Sequence, residues 1–411
     1  MEKIPDWLCT DFLTECLKHE EKKQNIVVTT FKVSPAIPPG EQYASCPLRV
    51  KVDYKDNKES DHLHTFSLII KSEVSEGVVK EVVSSYGSCE SVFYKTFLPK
   101  ANILLRINFI PKSIFSTNSS LIVLEDLAQE GFVMADKVTG LDFEHCCLYM
   151  EAMAGLHAVA LALHKKDPEL VESLGREKIY LNGLVGPEGF KAMTVSGLRC
   201  LVEYAEMSET FNKYAGLIRD ILGSIWDMTI KAINSSRESP IRTLNHGDPW
   251  TNNLMFKYNN EEKPSEMKLL DFQMMRYGSP ANDLVFFIWS SANDDVRTSR
   301  LDELFQIYVE SFNRNLEQLN CVERISCDSL REEMLKLSPL AICTAAFFPP
   351  YCAKKAIVDV EPFFHKGNSE ICYNIYRSFF REEHFWNCRL PKLFQQLELA
   401  GVFDYLSKYK K

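Results

Sequence analysis

No Cys-x-x-Cys pair occurs in this chain of 411 residues, although it holds 13 cysteines. The one adjacent pair is Cys146-Cys147. An odd count without ligand spacing reads as reduced, mostly buried thiols, and argues against a disulfide framework or a zinc site. No apolar run opens the sequence. Met1-Glu2-Lys3-Ile4-Pro5-Asp6-Trp7-Leu8 puts charges where a secretory signal needs hydrocarbon. The longest uncharged stretch, between Lys336 and Lys354, is short and contains Pro349-Pro350. It reads as a buried helix followed by a turn, with no membrane span. Positive charge is not in excess: the formal net charge is -9, which weighs against a nucleic-acid surface. No repeat, low-complexity tract or protein-partner motif is evident. A cytoplasmic globular protein is the expectation, and 45% hydrophobic with 25% charged residues supplies a full core.

The chain changes character near residues 125–131. Before that point, Pro5 to about Glu21 has apolar residues at helical spacing (Trp7, Leu8, Phe12, Leu13, Cys16, Leu17). Three strand-like runs follow: Ile26–Val33, Leu48–Val52 and His64–Lys71. A helix is expected from about Val79 to Phe97, stopped by Pro99. A further strand pair is expected at Ile103–Ile107 and Leu121–Leu124. After Glu125-Asp126-Leu127 the pattern turns helical, at Phe143–His164, Gly197–Phe211, Tyr214–Ile233 and from Asp283 onward. One strand hairpin interrupts it, Leu254–Tyr258 with Met267–Leu270. The expected class is α+β. Residues 1–127 form a small antiparallel lobe with a helix beside it, and residues 128–411 a larger, mainly helical lobe.

The chemistry concentrates in His246-Gly247-Asp248-Pro249-Trp250-Thr251-Asn252-Asn253, with Asp271-Phe272-Gln273 following after the hairpin. An acid, an amide five positions on and a second acid form the skeleton of a phosphotransferase site. Asp248 can take or orient the proton of a substrate hydroxyl. Asn253 and Asp271 offer hard oxygen ligands for Mg²⁺ on a nucleotide's phosphates. His246 suits a role in holding the loop by hydrogen bonds better than one in proton transfer. Asp283 suits anchoring that loop, and His157 suits a satisfied core histidine.

A β-rich lobe hinged to a helical lobe is the plan of kinase-like phosphotransferases, with the nucleotide in the cleft between. Each part has a counterpart here. Lys71 closes the third strand, where a lysine contacts the α- and β-phosphates, and Glu90 is the acid that would steady it. A solvated strand-end lysine has the same local sequence. The turn at Gly40, with Tyr43, Ala44 and Ser45, sits where a phosphate-covering loop belongs, although it has one glycine and an ordinary β-turn looks alike. Glu125, Asp126 and Leu127 fit a hinge whose backbone could bond the adenine edge. The aromatics of the C-terminal half (Phe347, Phe348, Tyr351, Phe363, Phe364, Phe380, Trp386) read first as core.

These residues resemble the aminoglycoside phosphotransferase and choline kinase superfamily, and more narrowly the ecdysteroid-kinase-like (CHK kinase-like) family. The resemblance runs from Ile4-Pro5-Asp6-Trp7-Leu8 through Gly40–Ser45, Lys71, Glu90 with Phe93-Tyr94 and Pro99, and Leu124–Leu127. It continues over His246–Asn253 and Asp271-Phe272-Gln273 with Tyr277-Gly278. It implies a protein-kinase-like fold and ATP- and Mg²⁺-dependent phosphorylation of a small-molecule alcohol. Asp248 would be the base, Asn253 and Asp271 the Mg²⁺ ligands, and Lys71 the phosphate clamp. Gln42 stands where the family often has Asn.

A hydrophobic acceptor of the ecdysteroid or xenobiotic type, hence a role in detoxification or hormone inactivation, follows from the resemblance alone. A cationic acceptor such as choline or an aminoglycoside is the alternative, as is nucleotide binding without turnover. A protein substrate is disfavoured. No Ala-Pro-Glu follows Asp271, Asp283 comes too soon for a long activation loop, and Gln273 replaces the glycine of Asp-Phe-Gly.

Overall fold

Side-chain alternation along three strands organises the N-terminal part of the chain. A computed structural model describes residues 5–37, 47–71, 82, 89–118, 121–354, 360–365 and 369–409. The expected phosphate loop, with Gly40, Tyr43, Ala44 and Ser45, lies outside the described residues, as does most of the stretch before Cys89. Strands β1 (Val27–Pro35), β2 (Leu48–Lys55) and β3 (His64–Lys71) are the β-branched runs of the sequence. With β4 (Ser113–Ile114) and β5 (Ile122–Glu125) they make an antiparallel sheet of order β1-β2-β3-β5-β4.

Successive residues of a strand face opposite sides. Val50, Val52, Tyr54, Leu68 and Ile70 therefore share one face, where Phe12, Leu13, Cys16 and Leu17 of the helix Thr10–Glu21 cover them. Full burial of Leu13 and Leu17 is worth roughly 2 kcal/mol each. Arg49, Ile69 and Lys71 take the other face and line a cavity. The N-terminal helix begins at Thr10 and not at Pro5. Trp7 and Leu8 precede it in a turn closed by the Leu8 N–H donating to the Pro5 carbonyl at 2.9 Å.

Pro99 does not stop the next helix. It runs from Cys89–Val92 through a π turn at Phe93–Phe97 into Leu98–Leu104. The wider turn precedes the proline, where an ordinary α ladder would need the N–H that proline lacks. Ile103 and Leu104 are consequently helical and Leu105 to Ile107 are coil, so no strand forms at 103–107. The short strand β4 pairs with β5 instead.

Beyond Glu125, helices dominate. Phe143–His164, capped by the Asp142 side chain accepting from the His145 N–H, is buried along most of its length. Among the described residues it is the one helix long and apolar enough to cross a membrane, but 83% of its apolar window is packed inside the fold. Val185–Met207 starts earlier than the periodicity suggests, because its glycines serve close packing and do not break it. A Cβ at Gly197 would stand 2.0 Å from the carbonyl oxygen of Ala346 on the neighbouring helix Ser338–Phe347. The expected helix 214–233 is two, Asn212–Ile221 and Ile225–Ser236, parted near Gly223.

Two small β units sit among these helices. The short strand β6 (Val133–Met134) joins the hairpin β8 (Leu254–Tyr258) and β9 (Pro264–Leu269). Strand β7 (Thr243–Asn245) pairs with β10 (Arg276–Gly278). One buried cluster spans the helical region, and a separate one lies under the N-terminal sheet. The cysteines among the described residues are unbridged.

Candidate active site

Lys71 reaches off the cavity face of β3 into a pair of carboxylates. Its ammonium lies 2.8 Å from both carboxylate oxygens of Glu90 and 3.0 Å from Oδ1 of Asp271. All three groups are largely buried. Burial works against the lysine's charge, but the carboxylates of Asp271 and Glu90 outweigh it and hold the ammonium protonated, its pKa above the ordinary value. One cation faces two acids. Glu90 is accordingly pushed up, first by burial and then by the charge of Asp271, with Lys71 opposing. The Phe272 N–H donates to Glu90 at 3.3 Å, and Gln273 Nε2 donates to the second oxygen of Asp271 at 2.9 Å. Asp271 itself adopts φ +68°, a conformation aspartate reaches more readily than most residues.

Strand β7 delivers the segment His246–Asn253. Gly247 has φ +86°, and a Cβ there would stand 1.9 Å from the Met274 carbonyl oxygen. Asp283 accepts from the N–H groups of His246 (2.6 Å) and Gly247 (2.8 Å), and lies 3.1 Å from Nε2 of the buried His157. The other ring nitrogen of His157 meets the Tyr308 hydroxyl at 2.8 Å. Asp283 and His157 thus brace the loop from beneath. His246 is a further brace. Its Nδ1 accepts from the Asp248 N–H at 3.2 Å, which leaves Nε2–H to donate to the Leu270 carbonyl at 2.8 Å. Burial holds this imidazole below its ordinary pKa, hence neutral.

Asp248 is bonded by Asn253, whose Nδ2 donates to the Asp248 carbonyl at 2.7 Å and to Oδ2 at 3.0 Å. With Nδ2 so engaged, the amide oxygen is the atom Asn253 can turn to a cation. The pKa of Asp248 stands well above the usual carboxylate value, chiefly from burial and next from the charge of Asp271. Among the described residues no group of three or more His, Cys, Asp or Glu could hold a metal ion alone.

The cavity that these groups share has a volume of about 380 Å³. Lys71, Asp248, Asn253 and Asp271 line it, and so do Ile69, Leu124, Glu125, Asp126, Leu127 and Ala128 on the sheet side. At the expected hinge, two of the side chains are occupied elsewhere. Asp126 accepts from Arg49 at 2.8 Å and Ser67 at 2.6 Å, and these bonds lower its pKa against the effect of burial. Glu125 accepts from the Lys112 N–H at 2.8 Å. Backbone is what Glu125 and Asp126 can offer the cavity, beside the apolar Leu127.

Its far end is aromatic. Tyr180, Phe190, Trp226, Trp250, Phe347, Phe348, Tyr351 and Phe364 line it, with Met193 and Cys343. The expectation that the C-terminal aromatics are core holds for Phe363 and Phe380, which are buried away from the cavity. Phe348 and Tyr351 are also buried in that core, but they line the cavity as well, as do the partly buried Phe347 and Phe364. Periodicity marks these four as apolar, but whether an apolar side chain meets protein or a cavity depends on helices distant in sequence. The lining residues from the loop at 177–180 had no sequence signal, since Arg176-Glu177-Lys178 reads as a solvated charge run. Arg276 had a faint one, a lone charge inside Met274-Met275-Arg276-Tyr277-Gly278.

The small antiparallel sheet, its cavity and the helical part behind it make up a protein-kinase-like fold. Within that class the chain belongs to the ecdysteroid kinase-like family, whose model matches residues 39–321, and it is a small-molecule phosphotransferase. Solved structures are similar at low identity. Choline kinase from Cryptosporidium parvum Iowa II is 11% identical, with 96% of this chain and 98% of that one covered, at a TM-score of 0.44. The apoenzyme of macrolide 2'-phosphotransferase from Brachybacterium faecium is 13% identical, with 84% and 99% covered, at a TM-score of 0.36. An ADP-bound aminoglycoside phosphotransferase is 12% identical, with 95% and 98% covered, at a TM-score of 0.33. None of the curated proteins matches the chain in sequence.

Proposed function

We propose that this kinase transfers the γ-phosphoryl group of ATP to a hydroxyl of a hydrophobic, uncharged alcohol of the ecdysteroid or xenobiotic type. The division into lobes would fall after residue 127, with the nucleotide between them. Asp248 orients the acceptor hydroxyl and takes its proton. Lys71, steadied by Glu90, holds the nucleotide's phosphates, and the backbone of Glu125, Asp126 and Leu127 meets the adenine edge. The turn with Gly40, Tyr43, Ala44 and Ser45 would cover the phosphates.

Asp271 and the amide oxygen of Asn253 are the donors for Mg²⁺. One carboxylate and one amide suit a cation that arrives on phosphates and keeps its waters, and would be too few for a resident metal. When bound, Mg²⁺ neutralises charge on the transferring group. The protein's own contribution is positioning and a fixed electrostatic environment.

The observation that carries the acceptor class is the lining of the cavity beyond Asp248. It is aromatic and sulfur-bearing, and among its described residues no acid lies there to neutralise a polycation. The test is an ATP-consumption screen of steroid, phenolic, glycosidic and amino-alcohol acceptors, with products identified by mass, on the natural chain and on Asp248→Asn. Turnover of uncharged alcohols, lost in Asp248→Asn while ATP-Mg²⁺ still binds, is the expected result. Turnover of amino-alcohols alone would move the acceptor class to cations. Unchanged turnover in Asp248→Asn would remove Asp248 from its role.

A further inference from the structure

Arg276 is buried between the loop at 177–180 and the segment that carries Asp248. It sits on β10 directly opposite Asn245 of β7, one residue before His246. Its guanidinium makes three contacts. Nη2 donates to the Gly247 carbonyl at 3.5 Å, Nε lies 3.5 Å from Oε2 of Glu177, and the charge stands 4.9 Å from the centre of the Tyr180 ring. The geometry at Glu177 falls short of a hydrogen bond. Among the described residues neither Nε of Arg276 nor Oε2 of Glu177 has a hydrogen-bond partner, and both atoms are fully buried. A buried charge pair held this loosely is weak evidence of a stability device.

Glu177 is itself the hub of a small backbone nest. Its Oε1 accepts from the N–H groups of Lys178 (3.0 Å), Ile179 (2.9 Å) and Tyr180 (3.0 Å). Burial resists the charge, but Arg276 and these N–H groups hold the carboxyl below its ordinary pKa. The nest presents Ile179 and Tyr180 to the cavity, where Tyr180 packs on Trp226 with ring centroids 5.1 Å apart. Lys178 also ties the loop to the residue just before β10, donating to the Met275 carbonyl at 2.9 Å. Arg276 therefore touches both the Tyr180 part of the wall and the Gly247 carbonyl of the Asp248 loop, in addition to the direct packing of Trp250, from that loop, on Phe348 at 5.4 Å.

We propose that Arg276 is a positioning residue that couples the Tyr180 wall of the acceptor cavity to the Gly247-Asp248 loop, with Glu177 as its counter-charge. The acceptor side of this rests on the function proposed above. The slack at Glu177 lets the clamp follow a filled cavity, and the bond to the Gly247 carbonyl transmits the wall's position to the residue beside it. Arg276 itself touches no reacting atom.

Two measurements test this on the full chain. Hydrogen–deuterium exchange needs no acceptor. Arg276→Met should speed exchange about tenfold at both 177–180 and 246–248, and leave the helix Phe143–His164 unchanged. Arg276→Lys, which keeps the charge, should restore most of the protection. Should Arg276→Met fail to fold, Glu177→Gln is measured in its place and should loosen the same two segments together. A rise in one segment alone, or in neither, overturns the coupling. The second measurement is kinetic, on whichever alcohol the natural chain phosphorylates. Arg276→Met should lose about 30-fold in kcat, with ATP-Mg²⁺ affinity unchanged within about twofold, and Arg276→Lys should recover part of the loss. Equal kcat in a folded Arg276→Met would also overturn the proposal. Failure of the natural chain to phosphorylate any alcohol sinks the function reading alone and leaves the exchange experiment to decide this one.

Discussion

The ammonium of Lys71 stands 3.0 Å from Oδ1 of Asp271, a residue 200 positions further along the chain. One ion pair therefore fastens the N-terminal sheet to the segment that follows the β8–β9 hairpin. Its third member, Glu90, leaves the cluster with one more acid than base.

Removing the cation leaves two buried acids facing each other. Lys71→Met should cost about 3 kcal/mol of stability, the usual penalty for stripping one partner from a buried pair. The double variant Lys71→Met/Glu90→Gln should regain much of that in a urea titration, without regaining activity. A lysine that merely sits in solvent would show neither the loss nor the rescue.

Asp248 is stored at a cost. Its folded pKa lies above the unfolded value, so the folded state binds the extra proton. The associated stability is present at low pH and is lost as pH rises through the folded pKa. In nucleotide-free protein, Asp248→Asn should therefore raise the melting temperature at pH 8 more than at pH 4. The same variant should lose about 10³-fold in turnover, within the span expected for a general base. A melting temperature that falls at pH 8 would contradict this account of the residue.

Gly247 has no substitute that fits. Gly247→Ala would place a methyl 1.9 Å from the Met274 carbonyl oxygen while holding φ at +86°. Strain of roughly 1–3 kcal/mol is expected before any overlap is counted. The backbone that carries Asp248 should shift, with kcat falling and the affinity for ATP-Mg²⁺ changing less. Near-normal kcat would mean that the loop tolerates displacement.

Glu203 offers a pH test remote from the cavity. It accepts from Arg377 at 2.7 Å and also contacts Arg381, joining the helix Val185–Met207 to Ser369–Phe380. The hydrogen bond from Arg377 is the main cause of a pKa lowered to about 2. The stability it supplies is full above the ordinary value of 4.5 and disappears as pH falls toward about 2. Glu203→Gln should melt below the natural chain at pH 7, and the gap should close across that window. A gap independent of pH would assign the effect to packing.

Local pattern made much of this fold readable. The β-branched runs at 26–33, 48–52 and 64–71 became strands because alternation and propensity agree there. Phe143–His164 became a helix between the expected ends. The motif residues Lys71, Glu90, Asp248, Asn253 and Asp271 are all placed on or beside one cavity. The misreadings share a cause. Pro99 and the glycines near Gly197 look like punctuation in sequence, but a π turn accommodates the first and a neighbouring helix requires the second. Glu177 and Arg276 lie far apart in sequence, and neither has a local feature announcing the other. The aromatic wall is assembled from the loop at 177–180, Trp250 of the Asp248 segment and several separate helices, so no single stretch of chain could display it.

The alternation along β3 also divides the ways in which this protein can change. Even positions Leu68 and Ile70 answer to the N-terminal helix, and odd positions Ile69 and Lys71 answer to the cavity. Natural variation along this one strand should therefore sort into two independent records. One tracks the temperature at which the protein must persist, and the other the molecules it must handle. Inserting a single residue within the strand would exchange the two records and spoil both.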